Sequence, residues 1–533
     1  MFYKKSKNQN NKTTKHPKTK KNKNKKLIFK KPNYTGIKTT MSSALAIDRT
    51  FIQYHDPSIS LSLPLPHWSP SYSFGILKIK MNPEISMTKK HQHFIFSIDA
   101  SSSMLDKCSN ESTKIDHILF TLKNMIQLFA EKNAPISIHI NTFDDATKNI
   151  VSNTLITEEN AKDLIQKIHN IVSDGYTNIE EALKNASQDI LNYKKENPEH
   201  EITHIFLTDG VPTTGTDDTS SLNDLVLKEY TNIFIGYGED HEPLLLNSLA
   251  NNINGSYYFI DALEKASLVY GEIIHNILYK KIENVELHMT NGEIYNYITN
   301  TWDNILSIGN LVAEAEKIYQ VRSTNPEDSF CIINGRNNNI GINEVICQNC
   351  AFPLKNPQSL QMDNLIKYAF RQYTQELLYE IKEFALSKNQ YSPYQRRYKD
   401  QCYTPRVRRG RRMPSSPQPS SPTKKKVQLK ERLKNFLDIL MDYVNENDLQ
   451  EDKFMKMLCD DIYINYMAIN TNKLSLFSCA RQSSQGKQTI YHVAWDKDSM
   501  QLEIPYPDYE CSNHIDSPYR TQSVFATMQE MSH

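Results

Sequence analysis

Residues 97–104 read "SIDASSSM" directly after the apolar run "HFIFSI", so Asp99, Ser101 and Ser103 stand on alternate positions of one short loop. Asp and Ser are common in turns and helix caps because they bond their own backbone, and that is the plain reading of such a stretch. Three hard oxygens from one loop are also the start of a site for a hard divalent cation. Two further stretches supply partners. "SDGYTNIEEAL" puts Thr177 just ahead of a helical pattern, and "IFLTDGVPT" ends a second apolar run with Asp209. Together these residues offer two carboxylates and three hydroxyls. An all-oxygen set of this kind suits Mg²⁺, with Mn²⁺ or Ca²⁺ as alternatives, and leaves some positions to water.

Such a set works only if neighbouring strands end side by side. From residue 91 to about 281, apolar runs of roughly six residues alternate with helical patterns: "HFIFSID", "TKIDHILFTLKNMIQLFAEK", "PISIHINTF", "KNIVSNTLIT", "NIEEALKNASQDILNYKK", "ITHIFLTDG", "SSLNDLVLKEY", "TNIFIGYG", "EPLLLNSLANNI", "SYYFID" and "LEKASLVYGEIIHNILYK". The expected fold is α/β, a Rossmann-like, doubly wound and mostly parallel sheet whose ligands sit at the carboxyl ends of the strands. Residues 1–40 read as a basic disordered tail. Residues 41–90 form an N-terminal extension with possible strands in "SISLSLPLP" and "YSFGILKIKM", the prolines favouring a sheet edge. Residues 282–355 change to a period of two and read as an antiparallel β-rich module with a turn at Asn291-Gly292. Residues 356–390 carry a long helix and 391–426 a basic Pro/Ser-rich linker. A helical C-terminal region with a tail fills 427–533, its helix beyond the linker packing on the one before it.

At Asp99-Ala-Ser101-Ser-Ser103, Thr177 and Asp209 the sequence resembles the von Willebrand factor A family. Its metal-ion-dependent adhesion site takes Asp-x-Ser-x-Ser from the first strand-end loop, a Thr from a second and an Asp from a third. The resemblance covers roughly residues 90–280. It implies a Mg²⁺-type ion on these five residues with one coordination position open to a carboxylate of a partner protein. The family's usual Gly between the two serines is Ser102 here, which leaves the ligands untouched. Asp106 lies where some relatives hold a second-metal ligand, but Lys107 follows it, which argues against a second ion. Downstream, "ILSIGNLVAEAEKIYQVR" resembles the β segment that follows the domain in many members, and "LFSCARQSSQGKQTIYH" resembles a further segment of some.

The net charge of +1 conceals a partition. Residues 1–40 hold 14 Lys and no acid, and 391–426 hold 11 Lys and Arg against Asp400, leaving 37 basic against 60 acidic residues elsewhere. The folded parts are therefore acidic, and an acidic face repels acidic partners at long range. The basic segments read first as solvated tail and linker; nucleic acid is a second reading, without the interleaved aromatics that base stacking uses. Another alternative is a structural scaffold whose metal only stabilises the fold. No Gly-x-Ser-x-Gly, Gly-x-x-x-x-Gly-Lys-Ser/Thr or His-Glu-x-x-His occurs, and hydroxyl ligands give no general base, so the expectation is a binding protein and not an enzyme. Eight dispersed cysteines, no signal-peptide core and no run of about eighteen apolar residues suggest an intracellular chain without a membrane span. Cys347 and Cys350 lack a second pair for a zinc site and read as free thiols near a turn. Few glycines and abundant Asn, Lys, Ile and Tyr fit an AT-rich genome, such as some giant DNA viruses and protists carry.

Overall fold

Two strands, β1 (Leu45–Ile52) and β2 (Ser73–Met81), lead into a run in which strands and helices alternate. The run comprises β3 (Gln92–Asp99), α1 (Lys114–Glu131), β4 (Ile136–Phe143), β5 (Thr147–Leu155), α2 (Ala161–His169), α3 (Ile179–Glu196), β6 (Glu201–Thr208), α4 (Thr219–Asp224), β7 (Thr231–Tyr237), α5 (Pro243–Leu249), β8 (Gly255–Ile260) and α6 (Ala266–Leu278). In this computed structural model the described residues are 45–52, 72–81, 87–88, 90–107, 112–238, 240–260, 266–325, 328–337, 344–351, 362–389, 422–490 and 517–532. Among them, no helix is long and apolar enough to cross a membrane.

The strands of the run form one six-stranded sheet in the order β5-β4-β3-β6-β7-β8, parallel except for β5, which returns antiparallel along the edge. Each central strand is buried on both faces, as crossover helices require. Alternate residues serve different cores. Ile205, Leu207, Ile233 and Ile235 pack with α1, α2 and α6, whereas Phe206 and Phe234 pack with α3, α4 and α5. Thr113 starts α1 with a capping box, accepting from Asp116 N while Asp116 Oδ2 accepts from Thr113 N at 2.9 Å. The helical pattern at "SSLNDLVLKEY" yields only the six-residue α4, because Leu225 N turns back to Leu222 O.

The chain then builds β9 (Lys280–Thr290), β10 (Glu293–Asn296), β11 (Thr301–Asp303), β12 (Ile305–Val312), β13 (Glu316–Ser323), β14 (Phe330–Asn337) and β15 (Glu344–Ala351). These form two sheets, β1-β2-β13-β10-β11 and β12-β9-β14-β15, closed over a core that includes Leu77, Ile79, Val285, Leu287, Val321 and Ile333. β2 pairs with both β1 and β13, so it lies inside its sheet and not at the expected edge. The α/β run is thereby inserted between two parts of one β-sandwich. "SISLSLPLP" lies outside the described residues. At Asn291-Gly292 the turn exists, with Asn291 at φ +54°, yet it carries the chain from one sheet to the other and its flanking strands do not pair. Cys347 and Cys350 lie on β15, which pairs antiparallel with β14 and sets Cys350 opposite Cys331.

A long helix, α7 (Met362–Asn389), packs with helices Pro422–Glu446, Lys453–Ala468 and Leu474–Lys487. Phe370 and Tyr373 meet Phe436, and Arg432 clasps Glu380 at 2.5 Å and 3.0 Å. Pro422, within the segment read as linker, opens a helix, a position where its missing N–H costs nothing. The final helix, Gln522–Ser532, lies on α6 and α1.

Candidate metal centre

The five oxygen-bearing residues reach one end of the six-stranded sheet by three routes. β3 and β6 run side by side in register, with Ile98 opposite Leu207, so Asp99 and Asp209 emerge together at the carboxyl ends. The loop after β3 is stitched to its neighbours: Ala100 N donates to Phe143 O at 2.8 Å and Ser102 N to Gly175 O at 3.2 Å. Gly175 takes φ +81° there, a backbone conformation that L side chains rarely adopt. Ser103 lies on the short 3₁₀ turn Ser102–Leu105. Thr177 precedes Asn178, whose side chain accepts from Glu181 N at 3.1 Å and starts α3. Thr177 is fixed as well, its N–H donating to Thr213 Oγ1 at 2.8 Å.

The side chains form a connected set. Ser101 N donates to Asp99 Oδ1 at 2.9 Å, Ser101 Oγ and Ser103 Oγ are 3.1 Å apart, and Ser103 Oγ donates to Asp209 Oδ1 at 2.8 Å. Thr177 Oγ1 and Ser103 Oγ both face Gly210, where an added Cβ would be 3.4 Å from the first and 3.8 Å from the second. Both carboxylates have no exposed surface. Burial pushes the Asp99 carboxyl up to about 6, with the charge of Asp209 adding to the rise, against hydrogen bonds from Thr208 and Ser101 that hold it down. Two adjacent buried carboxylates call for a cation, and three hydroxyl oxygens beside them complete an oxygen-only donor set, so the residues fit a hard divalent ion. Among the described residues no group of three or more His, Cys, Asp or Glu could hold a metal.

Two contributors were not singled out in the sequence. Thr208 Oγ1 donates to Asp99 Oδ2 at 2.5 Å, fixing the carboxylate from the strand's last residue. Lys114 Nζ lies 2.6 Å from Asp209 Oδ2 and 3.6 Å from Asp106 Oδ2, with its side chain only 12% exposed. Against the desolvation of burial, Asp209, Asp106 and Asp240 raise the Lys114 amine above its ordinary value. A signal for it existed: Lys114 is the first residue of α1, and a cation at a helix N-terminus opposes the helix dipole unless an acid compensates.

Comparison with known proteins adds the following. Residues 94–271 match the model of the von Willebrand factor type A domain. Among solved structures, a von Willebrand factor type A protein from Catenulispora acidiphila is 12% identical, over 65% of this chain and 82% of that one, with a TM-score of 0.46. The ArnB paralog VWA2 from Sulfolobus acidocaldarius is 14% identical, over 83% of this chain and 99% of that one, with a TM-score of 0.46. Proximal thread matrix protein 1 from the mussel byssus, in a structure described as having a zinc-occupied MIDAS motif, is 19% identical over 36% of this chain and 46% of that one, with a TM-score of 0.30. No curated protein matches the chain. The sheet order, the crossover helices and the family match together identify residues 94–271 as a von Willebrand factor type A domain.

Proposed function

We propose that this domain is a metal-dependent protein-binding module, in which Asp99, Ser101, Ser103, Thr177 and Asp209 hold a divalent cation of the Mg²⁺ type and a carboxylate of a partner protein completes the site. The observation that carries this reading is the hydrogen-bonded chain from Ser101 Oγ through Ser103 Oγ to Asp209 Oδ1, set against two fully buried carboxylates. When bound, such an ion supplies a Lewis-acidic point of attachment for an anionic oxygen. The protein's own part is orientation. Thr208 and the Ser101 amide fix Asp99, Ser103 fixes one oxygen of Asp209, and the Gly175 turn ties the first loop to the second. Two carboxylates balance a dication, and the Lys114 ammonium beside Asp209 then leaves about one positive charge in excess, which favours an acidic partner group. We read the site as binding and not catalytic, because Ser and Thr donors provide no general base.

Titration calorimetry of the full chain with Mg²⁺ and Mn²⁺ tests the metal, and capture of partners in Mg²⁺ against chelator tests the function. The expected result is saturable binding that Asp99→Ala abolishes and partner capture that Asp209→Ala abolishes. Equal capture by wild type and Asp209→Ala in Mg²⁺ would overturn the reading.

A further inference from the structure

Far from the carboxyl ends of the strands, where β8, β13, α7 and the end of helix Leu474–Lys487 come together, lies a cavity of ≈ 190 Å³. Its wall includes Arg371, Lys317 and Lys487. Arg371 is 1% exposed, and the two lysines are half-buried. Among the described residues all three bond only to neutral groups. Lys317 Nζ donates to Lys487 O at 2.6 Å and Gln488 O at 2.8 Å; Lys487 Nζ donates to Gly255 O and to Ser256 Oγ at 2.9 Å. Arg371 donates to Ile318 O at 2.9 Å, Gln485 O at 2.7 Å and Gln485 Oε1 at 3.4 Å.

Nearby acids do not balance this charge. Lys280, also on the wall, is taken by Glu201, and Asp461 is taken by Arg481 and Gln485. Only Glu272 acts on Lys317 as a counter-charge, while Arg371 repels Lys317, and Lys317 repels Lys487. One ordinary role for the cations is to cap the helix that ends at Lys487, whose terminal carbonyls carry about half a negative charge. Half a charge and one carboxylate against three cations leave an excess of positive charge among these groups. Donors also remain. A guanidinium has five N–H groups and an ammonium three, so each of these side chains keeps at least one beyond the bonds given above.

We propose that this cavity binds a small anion of the phosphate class, held between Lys317, Lys487 and Arg371. A volume of ≈ 190 Å³ holds about six waters' worth of ligand, which suits a phosphate or a small phosphomonoester. Two ammonium groups and a guanidinium are the donors that recognise such oxyanions. Burial brings the amines of both lysines down to about 8, which makes them reactive toward acylation at mildly alkaline pH. The site is independent of the metal reading above.

The test is amine acylation of the full wild-type chain followed by mass spectrometry, with inorganic phosphate, glycerol 3-phosphate or citrate added and ionic strength matched with chloride. At ligand about ten times its Kd, labelling of Lys317 and Lys487 is expected to slow about tenfold, while the exposed Lys162 and Lys195 are unaffected. Protection at lower concentration by glycerol 3-phosphate points to a phosphoester, and by inorganic phosphate to the free ion. Lys317→Gln and Lys487→Gln should lose the phosphate-induced rise in Tm, and Lys162→Gln should keep it. Should either cavity variant fail to fold, the wild-type labelling decides alone. No protection by either phosphate ligand, or protection by citrate only, would overturn the proposal.

Discussion

A divalent cation held as proposed would compete with Lys114 for Asp209. The Lys114 ammonium lies 2.6 Å from Asp209 Oδ2, largely out of solvent, so a second cation on Asp209 meets like charge at short range. Replacing Lys114 with Met keeps the buried stem and removes the charge. The expected outcome is Mg²⁺ binding tighter by about tenfold in titration calorimetry, equivalent to about 1.4 kcal/mol. Weaker binding in Lys114→Met would mean instead that the lysine serves to orient Asp209. Asp99 and Asp209 were readable as strand-end residues because each follows an apolar run whose end can be counted, and Thr177 because it stands just ahead of a helical pattern. Lys114 showed only as a cation at a helix start, because the chain between Lys107 and Thr113 gives no spacing from which its reach to Asp209 could be judged. Thr208 was equally hidden: a Thr at a strand's end is common, and only the parallel register with β3 gives its hydroxyl a carboxylate to bind.

The buried sheet carries a polar element that periodicity does not show. His204 on β6 sits between Ser97 of β3, at 3.0 Å from Nε2, and Asn232 of β7, at 3.3 Å from Nδ1. Asn232 Nδ2 donates to Leu227 O and Tyr230 O, which turns its carbonyl oxygen toward His204. The imidazole is then neutral, donating from Nδ1 and accepting at Nε2. Burial lowers its pKa to about 4 from 6.5, and burial does the same for His241 and His275. A depressed pKa contributes stability that is complete above 6.5 and is lost as pH falls through 4, at about 1.4 kcal/mol per pH unit for each proton taken up on unfolding. Thermal unfolding between pH 7 and 4 should show this decline, with a shallower slope in His204→Gln; an unchanged slope would remove His204 from the account. The strand run "HFIFSID" and its neighbours were legible as elements because burial on both faces leaves continuous apolar runs. The weaker elements were not: α4 stops after six residues, and β15 hides behind a polar Gln-Asn pair between its two cysteines.

Across the whole molecule the order of segments in space departs from their order in the chain. β2 lies before the α/β domain and pairs with β13 beyond it, a closure over more than two hundred residues that local pattern cannot foretell. Lys90, Glu201, Lys280 and Glu283 form an ion-pair cluster where the chain passes between the α/β domain and the sandwich, with Lys90 2.9 Å from Glu283. The last helix closes the molecule in the same non-local way. Gln522–Ser532 crosses α6 at Gly271, where a Cβ would stand 2.6 Å from Met528 Cα, so only glycine allows the two backbones so close. Met531 enters the core with α1 and α6, Asn124 Nδ2 donates to Met531 O at 3.0 Å, and Lys132 meets Glu530 at 2.9 Å. All of these contacts fall on the half of α1 away from Lys114. Gly271→Val should therefore lift the helix without disturbing the strand-end loops. Hydrogen exchange is the measure: protection across residues 522–532 should fall by about tenfold or more, since a contact worth over 1.4 kcal/mol is lost, while Mg²⁺ affinity stays at the wild-type value. Unchanged protection would show that the backbones can separate at no cost. Loss of Mg²⁺ affinity alongside lost protection would show instead that this helix braces α1 along its whole length, up to the lysine that meets Asp209.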